Sequence, residues 1–138
     1  MQKFAQKILK KLGYRNFSVT LHIVSPTEIR RLNKMYRRKN KATDVLSFPI
    51  FEKPIKNAKT LRLLGDIVVN RVDARDKNRL RFLVIHGLLH IIGYNHDSRT
   101  DGKKWDKLSH YCVFDSKNHF YNKDPLILVL IQSQRYCK

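Results

Sequence analysis

Residues 79–96 read RLRFLVIHGLLHIIGYNH. Leu80, Leu83, Val84, Leu88 and Ile91 recur there at helical spacing and Gly93 stands where a helix would stop, which predicts a helix with a broad apolar surface over residues 79–92. So apolar a helix belongs inside a domain. Upstream, residues 17–24 (FSVTLHIV) alternate, with Phe17, Val19, Leu21 and Ile23 on one side, as a half-buried strand does. Residues 63–70 (LLGDIVVN) are β-branched and apolar enough for a central strand, and residues 44–49 form a short strand stopped by Pro49. A first helix is expected through Phe4, Ile8, Leu9 and Leu12, ending at Gly13. A second starts at Ser25-Pro26-Thr27-Glu28, which has a capping-box pattern, and presents Ile29, Leu32 and Tyr36. Residues 71–78 fit a short polar helix. Helices and strands mix without strict βαβ alternation, so the expected class is α+β, a mixed β-sheet packed with helices.

The 138 residues suit a single domain over 1–138, and no repeat or low-complexity linker divides them. The chain holds 29 Lys+Arg against 11 Asp+Glu, a net charge of +18, while 42% of its residues are hydrophobic. That apolar content argues for a folded protein, and the charge favours a polyanionic partner. Residues 1–41 contain 12 Lys+Arg and one acid, Glu28, a net of +11, and they end in the basic run Arg37 to Lys41. The longest apolar run, LILVLI at residues 126–131, is far short of the roughly 20 residues of a membrane-spanning helix. The N-terminal residues alternate lysine with apolar side chains, unlike a signal peptide, and Cys112 and Cys137 lack CxxC spacing. A cytoplasmic location without disulfides is expected.

Within residues 86–96 the histidines fall at H-x3-H-x5-H. Four residues apart on a helix, His86 and His90 share a face, with Cβ atoms about 5–6 Å apart. A break at Gly93 lets the chain return and offer His96 to the same ion. Three nitrogens leave one position of a tetrahedral Zn2+ open, as in catalytic sites, and water there can have its pKa lowered to about 7. The expected metal site sits at the end of the central helix, with one Zn2+ per chain held by His86, His90 and His96. The spacing also matches metzincin proteases, but those carry a glutamate general base where this chain has Gly87. A metal without that base on so cationic a chain fits a phosphodiester better than a peptide.

Three blocks of sequence resemble the YbeY family of metal-dependent endoribonucleases. Leu32-Asn33 through Tyr36-Arg37 and then Lys41 to Pro49 (KATDVLSFP) are similar to N-x-x-Y-R…T-[DN]-V-L-S-F-P; Leu64 to Val68 (LGDIV) follows; His86 to His96 resembles H-G-x-L-H-L-x-G-Y-D-H. Together they span about residues 32–96. The resemblance implies an α+β domain and a zinc-dependent, single-strand-specific endoribonuclease. Its implied role is 16S rRNA 3′-end maturation and ribosome quality control, with rRNA and the small ribosomal subunit as partners and no membrane. It also implies His86, His90 and His96 as ligands and catalytic residues, and Arg37 as a catalytic arginine, whose planar guanidinium suits a phosphate oxygen. The chain departs from the pattern at Asn95, where the family has Asp, with Asp97 as a candidate replacement. It is basic at Lys103, Lys104 and Lys107, and residues 109–138 are unmatched.

Two other readings stand beside this one. A non-catalytic RNA-binding ribosome-assembly factor with a structural metal is compatible with Gly87 and Asn95, and a metzincin-like metalloprotease is disfavoured by Gly87. Elsewhere, His22 is expected at the surface, and Thr43, Ser47 and Asp66 in turn and strand hydrogen bonds. Trp105 and Tyr111 are read as packing residues, and Cys112, His119 and Cys137 as an ordinary tail.

Overall fold

A computed structural model describes residues 1–51, 56 and 58–93. Expectations for Asn95, His96, Asp97, Lys103, Lys104, Trp105, Lys107, Tyr111, Cys112, His119 and Cys137 lie outside them. The described chain runs α1 (Gln2–Lys11), β1 (Phe17–Val24), α2 (Pro26–Arg37), β2 (Val45–Pro49), β3 (Arg62–Asn70), a one-turn 3-10 helix (Asp73–Arg75) and α3 (Lys77–Ile91). The strands form one sheet in the order β1-β3-β2, with β3 parallel to β1 and antiparallel to β2. This mixed pairing is the expected α+β architecture. None of the described helices is long and apolar enough to cross a membrane.

β3 is central because it alone is apolar on both faces: Leu64, Ile67, Val68 and Val69 are all buried. Its two faces carry different helices. Val68 packs with Leu46 of β2 and Ile29 of α2, fringed by Val24, Leu32 and Phe48. Ile67 and Ser47, pointing the other way, meet α3 at Gly87. α3 is buried over most of its circumference, at Phe82, Ile85 and Leu89 as well as at the positions expected from its periodicity, with Arg79, His86 and His90 half-buried along one stripe. A helix so widely covered is an interior element, and each fully buried Leu or Ile contributes roughly 1.5–3 kcal/mol.

Local signals explain the ends. Ser25 Oγ accepts from the Glu28 N–H at 3.2 Å, with Pro26 in the first turn, so α2 begins as expected. The reciprocal half of the capping box is replaced, because the Glu28 carboxylate instead takes both Arg31 Nε at 2.9 Å and Nη2 at 2.7 Å. Asp76 Oδ1 accepts from the Arg79 N–H at 2.8 Å and starts α3 two residues earlier than its apolar pattern indicates. The polar helix expected over residues 71–78 is reduced to the 3-10 turn, since Asp76 is taken as that cap. At the far end Gly93 has φ +96° and closes α3 as anticipated.

Two expected apolar faces are only partly used. In β1, Phe17 and Val19 are buried under α1, whose Gln6 Nε2 donates to the Phe17 carbonyl at 2.7 Å and whose Gln2 donates to that of Val19. Ile23, at the other end of this edge strand, is 51% exposed. On α2, Tyr36 is 61% exposed and makes an edge-on contact with Phe48, at 5.0 Å between ring centroids.

Close approach of β2 to β3 depends on Gly65, where an added Cβ would collide with the backbone carbonyl of Phe48. Backbone cannot swing aside as a side chain can. Gly65→Ala should therefore lower unfolding free energy by about 2–3 kcal/mol, measured by urea denaturation; an unchanged midpoint would contradict the packing described.

Candidate active site

His86 and His90 stand one turn apart on α3, both half-buried, with their Nε2 atoms 3.1 Å apart and ring centroids at 4.7 Å. Two nitrogens bound to one tetrahedral zinc at about 2.0–2.1 Å would lie roughly 3.3 Å apart, so the pair suits a shared ion. The donor chemistry suits zinc as well, because neutral imidazole is one of its preferred ligands. Among the described residues no cluster of three His, Cys, Asp or Glu side chains forms around the pair. The third expected donor, His96, lies beyond them.

Gly87 fixes how the pair sits over the sheet. A Cβ built there would stand 2.9 Å from Ile67 Cγ2, 3.1 Å from Ile67 Cδ1 and 3.1 Å from Ser47 Oγ. The glycine lets α3 lie close against β2 and β3, carrying both imidazoles with it. It also bears on the protease reading, since a glutamate at this position has no room for its first side-chain carbon. Ser47 is half-buried against α3 and offers its hydroxyl to that packing.

Arg37 occupies a different place. It ends α2 on the sheet face opposite α3, and its side chain is exposed. Arg38 follows with φ 58°, the one non-glycine residue in the left-handed region among those described. Such a conformation costs an L-residue roughly 1–2 kcal/mol, and helix ends usually assign it to glycine or asparagine. Here an arginine holds it, which keeps the charge run unbroken and turns the chain sharply.

The basic loop after α2 is tied down by residues whose importance the sequence did not signal. Asn33, only 2% exposed, donates from Nδ2 to the Lys41 carbonyl at 2.8 Å. Asn70, also buried, donates to the Thr43 carbonyl at 3.1 Å and accepts from the Val72 N–H at 3.1 Å. Asp44 accepts from Arg79 Nη2 at 2.9 Å, while Arg79 Nε reaches Asp73 Oδ1 at 3.3 Å. A buried amide without partners is costly, so these bonds hold the loop to α2, β3 and α3 together. An asparagine closing the apolar run LLGDIVVN was the one available sign.

On the α2 face an open cavity of about 590 Å³ is lined by His22, Val24, Glu28, Leu32, Tyr36, Phe48, Asp66 and Val68. Its wall holds a hydrogen bond between His22 Nε2 and Asp66 Oδ1, at 2.9 Å, joining neighbouring strands. His22 is thus at the surface as expected, and the Asp66 side chain hydrogen-bonds across to the neighbouring strand. Glu28 has its carboxyl held below the usual range by the hydrogen bonds from Arg31.

The sequence model of the family described as Endoribonuclease YbeY matches residues 1–113, a longer stretch than the three blocks at residues 32–96. An endoribonuclease YbeY of Aquifex aeolicus is 35% identical over 123 residues, covering 82% of this chain and 79% of its own. One from Buchnera aphidicola is 37% identical over 137 residues, covering 92% and 83%. The solution structure of a Thermotoga maritima protein is similar with a TM-score of 0.50 and 26% identity, over 88% of this chain and 85% of that one.

Two measurements test this geometry. Gly87→Ala should destabilise by about 1–3 kcal/mol, and Ile67→Ala in that background should cost less than it does alone, because the clash is shared; strict additivity in denaturation would refute the contact. Arg38→Gly should raise stability by up to about 1 kcal/mol by releasing the left-handed strain.

Proposed function

The chain belongs to the Endoribonuclease YbeY family, and from that membership we propose that it is a zinc-dependent endoribonuclease that cleaves single-stranded RNA in 16S rRNA 3′-end maturation and ribosome quality control. The observation that carries the reading is the pair of imidazole nitrogens 3.1 Å apart on a rigid, interior helix. His86 and His90, with His96 as third donor, hold one Zn2+. Bound there, the ion supplies Lewis-acid polarisation of a phosphate oxygen and of water.

The protein's own groups do the rest. α3, pinned at Gly87, keeps the two imidazoles from following a moving substrate, so the donors are preorganised. Arg37, on the other sheet face, binds a phosphate oxygen of the RNA strand away from the histidine pair. The loop bonds of Asn33, Asn70 and Arg79 keep the Arg37 to Lys41 segment in place. α2 and α3 lie on opposite faces of the sheet, so an RNA strand engaging both must pass around the sheet. The small ribosomal subunit is the proposed partner and the cytoplasm the proposed site of action; residues 1–138 are proposed as one domain.

A second reading, a non-catalytic RNA-binding assembly factor with a structural metal, is favoured by Gly87, which puts no general base beside the first histidine. Purified protein should contain one zinc per chain by elemental analysis, lost in His90→Ala, and should cut single-stranded rRNA in a chelator-sensitive way. Protein that keeps zinc and binds RNA but leaves it uncut would favour the second reading. Affinity should fall steeply with salt, and Arg37→Ala should reduce the slope of log affinity against log salt by about one. An unchanged slope would remove Arg37 from the phosphate path.

A further inference from the structure

The cavity on the α2 face is separated from the histidine pair by the sheet, and nothing in the metal chemistry uses it. Its size falls in the range of about 300–1,000 Å³ typical of small-molecule and cofactor sites. Its lining is mixed. Val24, Leu32, Phe48 and Val68 supply an apolar floor, Tyr36 a largely exposed ring, and His22 with Asp66 a hydrogen-bonding wall.

Three features select its occupant. Tyr36 is braced edge-on by Phe48, so its orientation is fixed although most of its surface faces solvent. An exposed, held aromatic ring is what a base needs for stacking. The acidic residue on α2 that lines the cavity, Glu28, is neutralised by Arg31 through two hydrogen bonds, so its repulsion of phosphate is reduced. Asp66 remains as a carboxylate acceptor 40% exposed at the wall. A carboxylate recognises N–H donors, and guanine presents two, N1–H and the N2 amine, on its Watson–Crick edge.

We propose that this cavity is a nucleobase subsite, in which a base of single-stranded RNA stacks on Tyr36 and its Watson–Crick N–H donors, those of guanine first, bond to Asp66 held by His22. The proposal rests on the RNA-directed reading above and names where that RNA is read. It places sequence preference on one sheet face and metal chemistry on the other.

The test uses full-length protein and short, fluorescent, single-stranded 2′-O-methyl RNAs, either all uridine or with one central guanine. Wild-type protein should bind the guanine strand about tenfold more tightly. Asp66→Asn should reduce that preference to about twofold or less. Tyr36→Ala should weaken binding of both strands about tenfold with the salt slope unchanged, and Tyr36→Phe should restore it, since the ring alone stacks. A merely structural role for Tyr36 would not spare the zinc content and melting temperature while moving affinity. Equal binding by wild type and both Tyr36→Ala and Asp66→Asn overturns the subsite and leaves the nuclease reading intact. Absence of RNA binding by wild type overturns both.

Discussion

The contact between Gly87 and the sheet governs most of what the molecule can do. With no side chain at that point, α3 descends until its backbone meets Ile67 and Ser47. Any residue with a Cβ would lift the helix or push the strands. Most of the helix is then buried, and its half-buried histidines are held at the margin of the core rather than on a mobile loop. Glycine in a helix interior normally costs up to about 1 kcal/mol against alanine, and the close approach is what offsets it. The same position that withholds a general base thus fixes the platform on which the imidazoles stand.

Fold and site were legible to different degrees, for physical reasons. Periodicity exposed α3 and the β-rich runs because apolar residues at fixed spacing leave few alternatives, and Ser25-Pro26 marked α2 because backbone N–H groups at a helix start need acceptors. The histidine pair could be read because a spacing of four has one meaning on a helix. Ile23 and Tyr36 were misjudged for a shared reason: patterns report which residues share a face, not whether another element covers it. Asn70 and the Arg79–Asp44 pair were hidden because they join segments far apart in sequence, and Asn33 because a lone amide adds nothing to an apolar pattern. The cavity too is tertiary, since His22 and Asp66 meet only through the parallel pairing of β1 with β3.

The basic loop shows how a charged segment can be ordered without being buried. Its carbonyls at Lys41 and Thr43 are held by two buried asparagines, while its lysines and arginines stay in solvent. Fixing the backbone removes entropy that a flexible loop would lose on binding a polyanion. The left-handed Arg38 adds strain at the same place, a pattern that recurs where backbone shape serves recognition more than stability.

The pairing of the strands also has a bearing on how the chain is made. β1 is synthesised early, yet its partner is β3, with Phe17 opposite Arg62, and β2 and α2 intervene. Until residue 70 has emerged, an apolar strand waits with both edges open. Such long-range parallel pairing is slow to form and exposes nascent chains to aggregation. The lysines of α1 and the arginines of α2 flank that waiting strand on both sides, so their mutual repulsion can keep incomplete chains apart. Charge proposed to meet RNA in the finished protein would then act earlier as a guard on its own unfinished sheet.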